Sequence, residues 1–269
     1  QAKIICCDGN FHGRTITIIS MSNDPDSFGG FGPFTPGFIR VPYNDVDALA
    51  KALEEENVAG FLLEPIQGEG GVIPAPVEFL RTIRRVTKEL GIPMIVDEIQ
   101  CGIGRSGKFF AFEYADIVPD VILASKAIGG SQPLAVVIYN GDLDKWTAGA
   151  HAGTFRGNQL AMKAGTIVMN RVSKPEFLAD VVKKGDYIRA KLNELKDKVS
   201  IIGDIRGKGL MMGCEFVDPN GQPDSIGSLP ASGEIAAAVQ KACFERKLVV
   251  EKGGRNGSVM RCLCALNIS

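Results

Sequence analysis

Four short, continuously apolar runs constrain this chain more than anything else in it. "VAGFLLEPI" (58–66), "PMIVDEIQ" (93–100), "VILAS" (121–125) and "LAVVIYN" (134–140) lack the apolar–polar alternation of a strand with one wet face. They read as strands buried on both faces, in a sheet covered by helices on either side. The segments between them supply the covers. "DVDALAKALEEE" and "PVEFLRTIRRVTKEL" have helical spacing; Leu80, Ile83 and Val86 fall on one face of the second, and Gly91 and Pro93 stop it. Strand, helix, strand in succession predicts an α/β fold around a mostly parallel sheet.

After Thr154 the pattern changes. "NQLAMKAGTIVMNRV" and "PEFLADVVKKGDYIRAKLNELKDK" predict two consecutive helices, with Pro175 opening the second. Then come "IGDIRGKGLMMGCEFVD", a turn-rich stretch, a helix from about Ala231 to Arg246, and two short strands. The expectation is a large domain over residues 1–173 and a smaller α+β domain over 174–269, joined through the helix near Leu160 to Val172.

Composition removes whole classes of function. The 30 basic and 31 acidic residues leave no electrostatic footprint for nucleic acid or an anionic membrane surface. No apolar run approaches the about 18 residues of a membrane span, and none has the order of a secretory leader. Seven cysteines, an odd number in apolar contexts, suit reduced thiols packed as small hydrophobes in a cytoplasmic protein. With only His12 and His151 and no zinc-type spacing, no metal site is expected. Small molecules are the expected partners.

Chemistry concentrates where the apolar runs end. "FLLEPIQGEGG" delivers Glu64, Gln67 and Glu69; "MIVDEIQCGIGRSGKFF" delivers Asp97, Glu98 and Gln100; "VILASKAIGG" delivers Lys126. Taken singly, a strand-end Asp is often a cap and a strand-end Lys often reaches water. Open α/β sheets, however, bind ligands beyond the carboxyl ends of their strands, so the three sets are expected to converge on one crevice. A desolvated lysine amine is a nucleophile toward carbonyls. Pyridoxal 5′-phosphate needs such a lysine, together with an acid opposite its pyridine nitrogen. Lys126 and Asp97 fit those two roles, and the glycines after Lys126 allow close approach to the backbone.

"VDEIQCGIGRSGKFFAFE" followed by "LASKAIGG" closely resembles the class III, ornithine and acetylornithine type, of pyridoxal-phosphate-dependent aminotransferases. "DGNFHGRT", "LEPIQGEGG", "HAGTFRGNQLA" and "IRGKGLMMGCEF" match further family segments in order, essentially end to end. The resemblance implies fold type I and makes Lys126 the Schiff-base lysine and proton carrier, with Asp97 on the pyridine nitrogen. It places Phe11 and Ile99 on the two faces of the ring, His12 beside it, Gln100 on the phenolic oxygen, and Glu64 as a supporting carboxylate. Thr154 would reach the cofactor phosphate of the neighbouring subunit, which implies a homodimer. Arg14 would take the side-chain carboxylate of glutamate or 2-oxoglutarate, and Arg261 the α-carboxylate. Glu69 would neutralise Arg261 while a diamine donor is bound and release it for the acceptor.

"SKAIGGSQPLAVVIYN" and "GAHAGTFRGNQLAM" resemble the subgroup that transfers the terminal amine of L-2,4-diaminobutyrate to 2-oxoglutarate. Ornithine, acetylornithine or 4-aminobutyrate remain alternative donors, and a non-catalytic structural module is an alternative of a different kind. Both ends are expected to be cut inside a larger fold, with the family's phosphate-holding turn upstream of Gln1. The family's Pro-Pro after the C-terminal arginine is here Cys264-Ala265.

Overall fold

A computed structural model describes residues 1–269, apart from the side chain of Arg255. The chain opens with β1 (Lys3–Cys7), two single-turn helices α1 (Ile16–Ile19) and α2 (Pro25–Phe28), and β2 (Phe38–Val41). Next come α3 (Val46–Leu53), β3 (Val58–Leu63), and a small hairpin of β4 (Ile66–Gln67) and β5 (Ile73–Pro74). Helix α4 (Val77–Leu90) leads to β6 (Met94–Asp97), and then β7 (Val121–Ala124) and β8 (Val136–Tyr139) complete the larger sheet.

That sheet has the order β2-β1-β3-β6-β7-β8, with every pairing parallel except the last. One face carries Ile5, Phe61, Leu63, Met94 and Val96 against Leu49 and Leu53 of α3 and Phe79, Leu80 and Ile83 of α4. Each such enclosed side chain stabilises the fold by roughly 1.5–3 kcal/mol relative to exposure. Helix α4 forms because its apolar residues recur on one face, and it ends because Gly91 adopts the left-handed conformation (φ 67°) that caps its last carbonyls. The opposite face of the sheet is covered more thinly, with Cys6, Met21 and Leu62 buried there.

The expectation that residues 134–140 form a strand buried on both sides is corrected. Strand β8 lies at the sheet edge, antiparallel to β7, with Val137 54% and Ile138 43% exposed. The link from β7 holds only a 3-10 turn, Lys126–Gly129. With no crossover helix to carry it back, the chain must double on itself.

Helices α5 (Gln159–Val172) and α6 (Pro175–Lys196) follow, the second opening on Pro175 as expected. The chain then forms β9 (Ile202–Lys208), β10 (Met211–Phe216), α7 (Gly233–Glu245), β11 (Glu251–Gly253) and β12 (Val259–Cys262). These four strands make a second sheet, β11-β12-β10-β9, antiparallel throughout. Its core joins Cys214, Phe216 and Met260 with Ala236 of α7 and Leu192 of α6.

The two sheets are tied at specific points. Arg105 donates to the carbonyls of Leu210 and Cys264, and its own carbonyl accepts from the Leu210 N–H. Arg206 Nε donates to the Gly71 carbonyl, and the Gly254 N–H to that of Glu69, at 2.8 Å. All seven cysteines are unpaired, and burial pushes the thiols of Cys6 and Cys214 up to about 12. Among the described residues no helix is long and apolar enough to cross a membrane.

Candidate active site

Strands β1, β3, β6 and β7 run parallel, so their carboxyl ends share one edge of the sheet. Asp97 is the last residue of β6, and its register partner on β7 is Leu123, which brings the two strand ends out together. The carboxylate is 4% exposed, and each of its oxygens has a fixed partner. Oδ2 lies 2.8 Å from Nδ1 of His12, on the loop after β1, and Oδ1 accepts the Ile99 N–H at 2.9 Å. The His12 ring is almost fully enclosed, and its Nε2 has no hydrogen-bond partner among the described residues.

Glu64, one residue beyond β3, supports the same loop. Its two oxygens accept the Phe11 N–H at 3.0 Å and the Gly68 N–H at 2.9 Å. Burial raises its pKa to about 7, against the pull of His12 and of those two N–H groups. Asn10 pins the loop from below, donating to the carbonyls of Cys7 and Met21.

Lys126 opens the 3-10 turn after β7 with φ +49°, a left-handed conformation that a non-glycine residue adopts at a cost. The residue is exposed, and its charge acts on Glu69. Two β-branched residues on neighbouring segments share this unusual backbone, Val72 (φ +53°) and Ile103 (φ +51°), and both are buried.

A second group of charges faces the first. Glu69, in the turn between β4 and β5, pairs with Arg261 of β12, Oε1 to Nη1 at 2.8 Å. The Gln100 amide donates to the same oxygen at 3.2 Å. Burial alone would raise the Glu69 pKa, but Arg261, Gln100 and the charge of Lys126 hold it below the usual carboxylate value. Arg261 is 1% exposed and reaches a second carboxylate, Glu251, whose Oε2 lies 2.9 Å from Nη2. A cavity of about 650 Å³ opens beside this pair, with Phe11, Arg14, Glu69, Lys252 and Gly253 in its wall. Arg14 stacks over the Phe11 ring, 5.3 Å from its centroid.

Not every strand-end group joins the crevice. Glu98 turns the other way, as the period of two along a strand requires, and its oxygens accept the N–H groups of Ala111 and Phe112. It is a structural carboxyl, pushed up to about 7 by burial. Gln67 donates to the Asp8 carbonyl and serves the loop rather than the crevice. Thr154 is exposed and lines a different cavity, formed by β8, α5 and residues 153–158. Sequence reasoning missed Gly68 and Glu251. A Cβ on Gly68 would fall 1.7 Å from Gln100 Oε1, so only glycine lets Gln100 lie there. The sequence signal for Glu251 was its place in a strand beside that of Arg261.

Solved structures share this architecture. Ornithine aminotransferase from Toxoplasma gondii, in a structure with partial occupancy of PLP at its active site, superposes with a TM-score of 0.89 at 34% identity. The match covers all of this chain and 61% of that one. The fold is therefore that of the type I pyridoxal-phosphate-dependent transferases, a mostly parallel sheet with helices. The family model for class-III aminotransferases matches residues 1–269, and the chain belongs to that family. Among curated relatives, diaminobutyrate–2-oxoglutarate aminotransferase of Rhizobium meliloti is 45% identical over 291 residues, covering 100% of this chain. Acetylornithine aminotransferase of Caldanaerobacter subterraneus is 43% identical over 213 residues, covering 79% of it. The chain spans 62% and 54% of the lengths of these two relatives.

Proposed function

We propose that this chain carries the catalytic core of an aminotransferase that moves the terminal amine of L-2,4-diaminobutyrate to 2-oxoglutarate, giving aspartate 4-semialdehyde and glutamate. The observation that carries the reading is the enclosed Arg261–Glu69 pair, which faces the strand ends bearing Asp97 and Lys126. A buried guanidinium already neutralised by a movable carboxylate suits an enzyme that must accept a cationic donor and then an anionic acceptor at one place. Identity to the Rhizobium meliloti enzyme supports the choice of donor.

The cofactor is pyridoxal 5′-phosphate, which when bound withdraws electrons from the substrate carbon that carries the amine. The residues fit that group. Asp97 is a buried carboxyl group with both oxygens held in place, which suits it to partner a ring nitrogen. His12 Nε2 and Gln100 Oε1 are buried polar atoms without protein partners among the described residues. Lys126 Nζ removes the proton from the amine-bearing carbon, and its charge acts on Glu69 of the facing pair. Phe11 and Ile99 would enclose the flat ring and the Gln100 amide would meet its phenolic oxygen, while Glu64 steadies the loop that carries Phe11.

Arg14 binds the far carboxylate of 2-oxoglutarate and Arg261 the near one, in the forked geometry that lysine cannot reproduce. Glu69 stays on Arg261 while the diamine is bound and leaves it for the acceptor. Thr154, exposed and away from the Asp97 cluster, serves the phosphate site of a second subunit in a cytoplasmic homodimer. The boundary between the two domains falls after Ser173, between α5 and α6.

The similarity to acetylornithine aminotransferase favours a second reading, in which acetylornithine is the donor. Glutamate formation by the full-length protein, compared across diaminobutyrate, ornithine, acetylornithine and 4-aminobutyrate, decides between them. The highest kcat/KM is expected for diaminobutyrate, and a preference for acetylornithine replaces the first reading with the second.

A further inference from the structure

We propose that Glu251 is a positioning residue for Arg261, holding the guanidinium in place when Glu69 lets go, so that the incoming acceptor carboxylate meets a pre-aimed cation. The inference rests on the reading of Arg261 as the acceptor-binding arginine. Glu251 and Arg261 are direct cross-strand partners in β11 and β12. The two carboxylates divide the guanidinium, Glu69 at Nη1 (2.8 Å) and Glu251 at Nη2 (2.9 Å). The arginine side chain is fully enclosed, and neither its Nε nor its Nη2 has a hydrogen-bond partner among the described residues, so Glu251 meets Nη2 as a close ion pair rather than a hydrogen bond.

Two residues further along β11, Gly253 faces the same way as Glu251. A Cβ there would come within 2.8 Å of Arg261 Nε. Strand β11 thus supplies both a counter-ion at one edge of the guanidinium and bare backbone beside it. Any side chain at position 253 would push the arginine out of the place that Glu251 holds.

An enclosed guanidinium stripped of its only counter-ion is strongly destabilised. With Glu69 as sole partner, each switch to the acceptor state would meet that cost and leave the side chain free to turn away. Glu251 removes both difficulties. Its register in the sheet fixes its backbone, and its side chain, 61% exposed, lies beside Nη2 independently of Glu69.

The test uses the full-length holoenzyme and its Glu251→Ala, Glu251→Gln and Arg261→Ala variants. Calorimetry measures the affinity for glutarate, a dicarboxylate that binds without reacting, and single turnovers follow the donor and acceptor half-reactions separately. In Glu251→Ala the glutarate Kd and the half-saturating 2-oxoglutarate concentration are expected to rise about tenfold. Half-saturation by the donor, which binds with Glu69 still on Arg261, is expected to move less than about twofold. Glu251→Gln keeps the size of the side chain but removes the charge that meets Nη2, and is expected to recover little of the loss. Unchanged glutarate affinity in Glu251→Ala, or an equal rise for donor and acceptor, overturns the inference. Arg261→Ala separates the two possible failures. If it abolishes glutarate binding while Glu251→Ala does not, only the role of Glu251 falls; if it too leaves binding unchanged, the reading of Arg261 falls with it.

Discussion

Asp97 lies in an enclosed place with a partner on each oxygen, and only one of those partners is a side chain that mutation can remove. Replacing His12 by Ala leaves Oδ2 buried without a donor, a penalty on the order of 1–3 kcal/mol. The expected outcome is weaker retention of the cofactor, measured by absorbance titration of the apoenzyme, with partial recovery in His12→Gln. Lys126→Ala is expected to lower turnover by about 10²–10⁴-fold, the usual worth of a positioned base, with little change in thermal stability because the side chain is exposed. A steady-state rate and a melting curve on the same preparation check both halves of that statement. Asp97 and Lys126 were legible as charges ending apolar strands. The His12–Asp97 bond was not, since it joins residues 85 positions apart. Nor was the exposure of Lys126, which depends on where the turn after β7 carries the backbone.

Helix α6 rests on the β9–β10 hairpin through two glycines. A Cβ on Gly185 would fall 2.2 Å from the Gly209 carbonyl oxygen, a backbone atom that cannot turn aside. Gly185→Ala is therefore expected to destabilise the protein by about 1–3 kcal/mol, read as a lowered midpoint in urea unfolding. The conservative look of such a change in an exposed-seeming helix is misleading. Most elements were legible because their periodicity comes from burial: α4 from its apolar stripe and Gly91, α6 from Pro175, and β3 and β6 from their continuous runs. Strand β8 misled because an apolar run identifies a strand without saying how the chain enters it. The shortness of the β7–β8 link decided its direction. Glu98 shows the same limit at a strand end, where one residue's difference in register sends a carboxylate to the crevice or away from it.

Over the whole molecule, Glu64 and Glu98 link folding to pH. Burial raises both to about 7 from the ordinary 4.5, so between those values the folded chain binds protons that the unfolded chain has released. Stability is therefore expected to fall as pH rises from about 4.5 to 7, by at most about 1.4 kcal/mol per pH unit for each group, and then to level off. Urea midpoints measured across that range check the sign, and a rising stability would refute it. A further decline is expected above pH 9, where the thiols of Cys6 and Cys214, pushed up to about 12, stay protonated in the folded state alone. The Gly254 N–H held on the Glu69 carbonyl has its own consequence for timing. Because that bond joins the backbones on both sides of the charge pair, Glu69 can leave Arg261 by rotating its side chain while the two sheets stay put. Side-chain rotation takes nanoseconds or less, whereas hinged closure of domains takes microseconds to milliseconds. On the proposed role of Glu69, its rotation away from Arg261 is then expected to be too fast to limit turnover, and added viscogen to slow substrate entry without slowing that rotation.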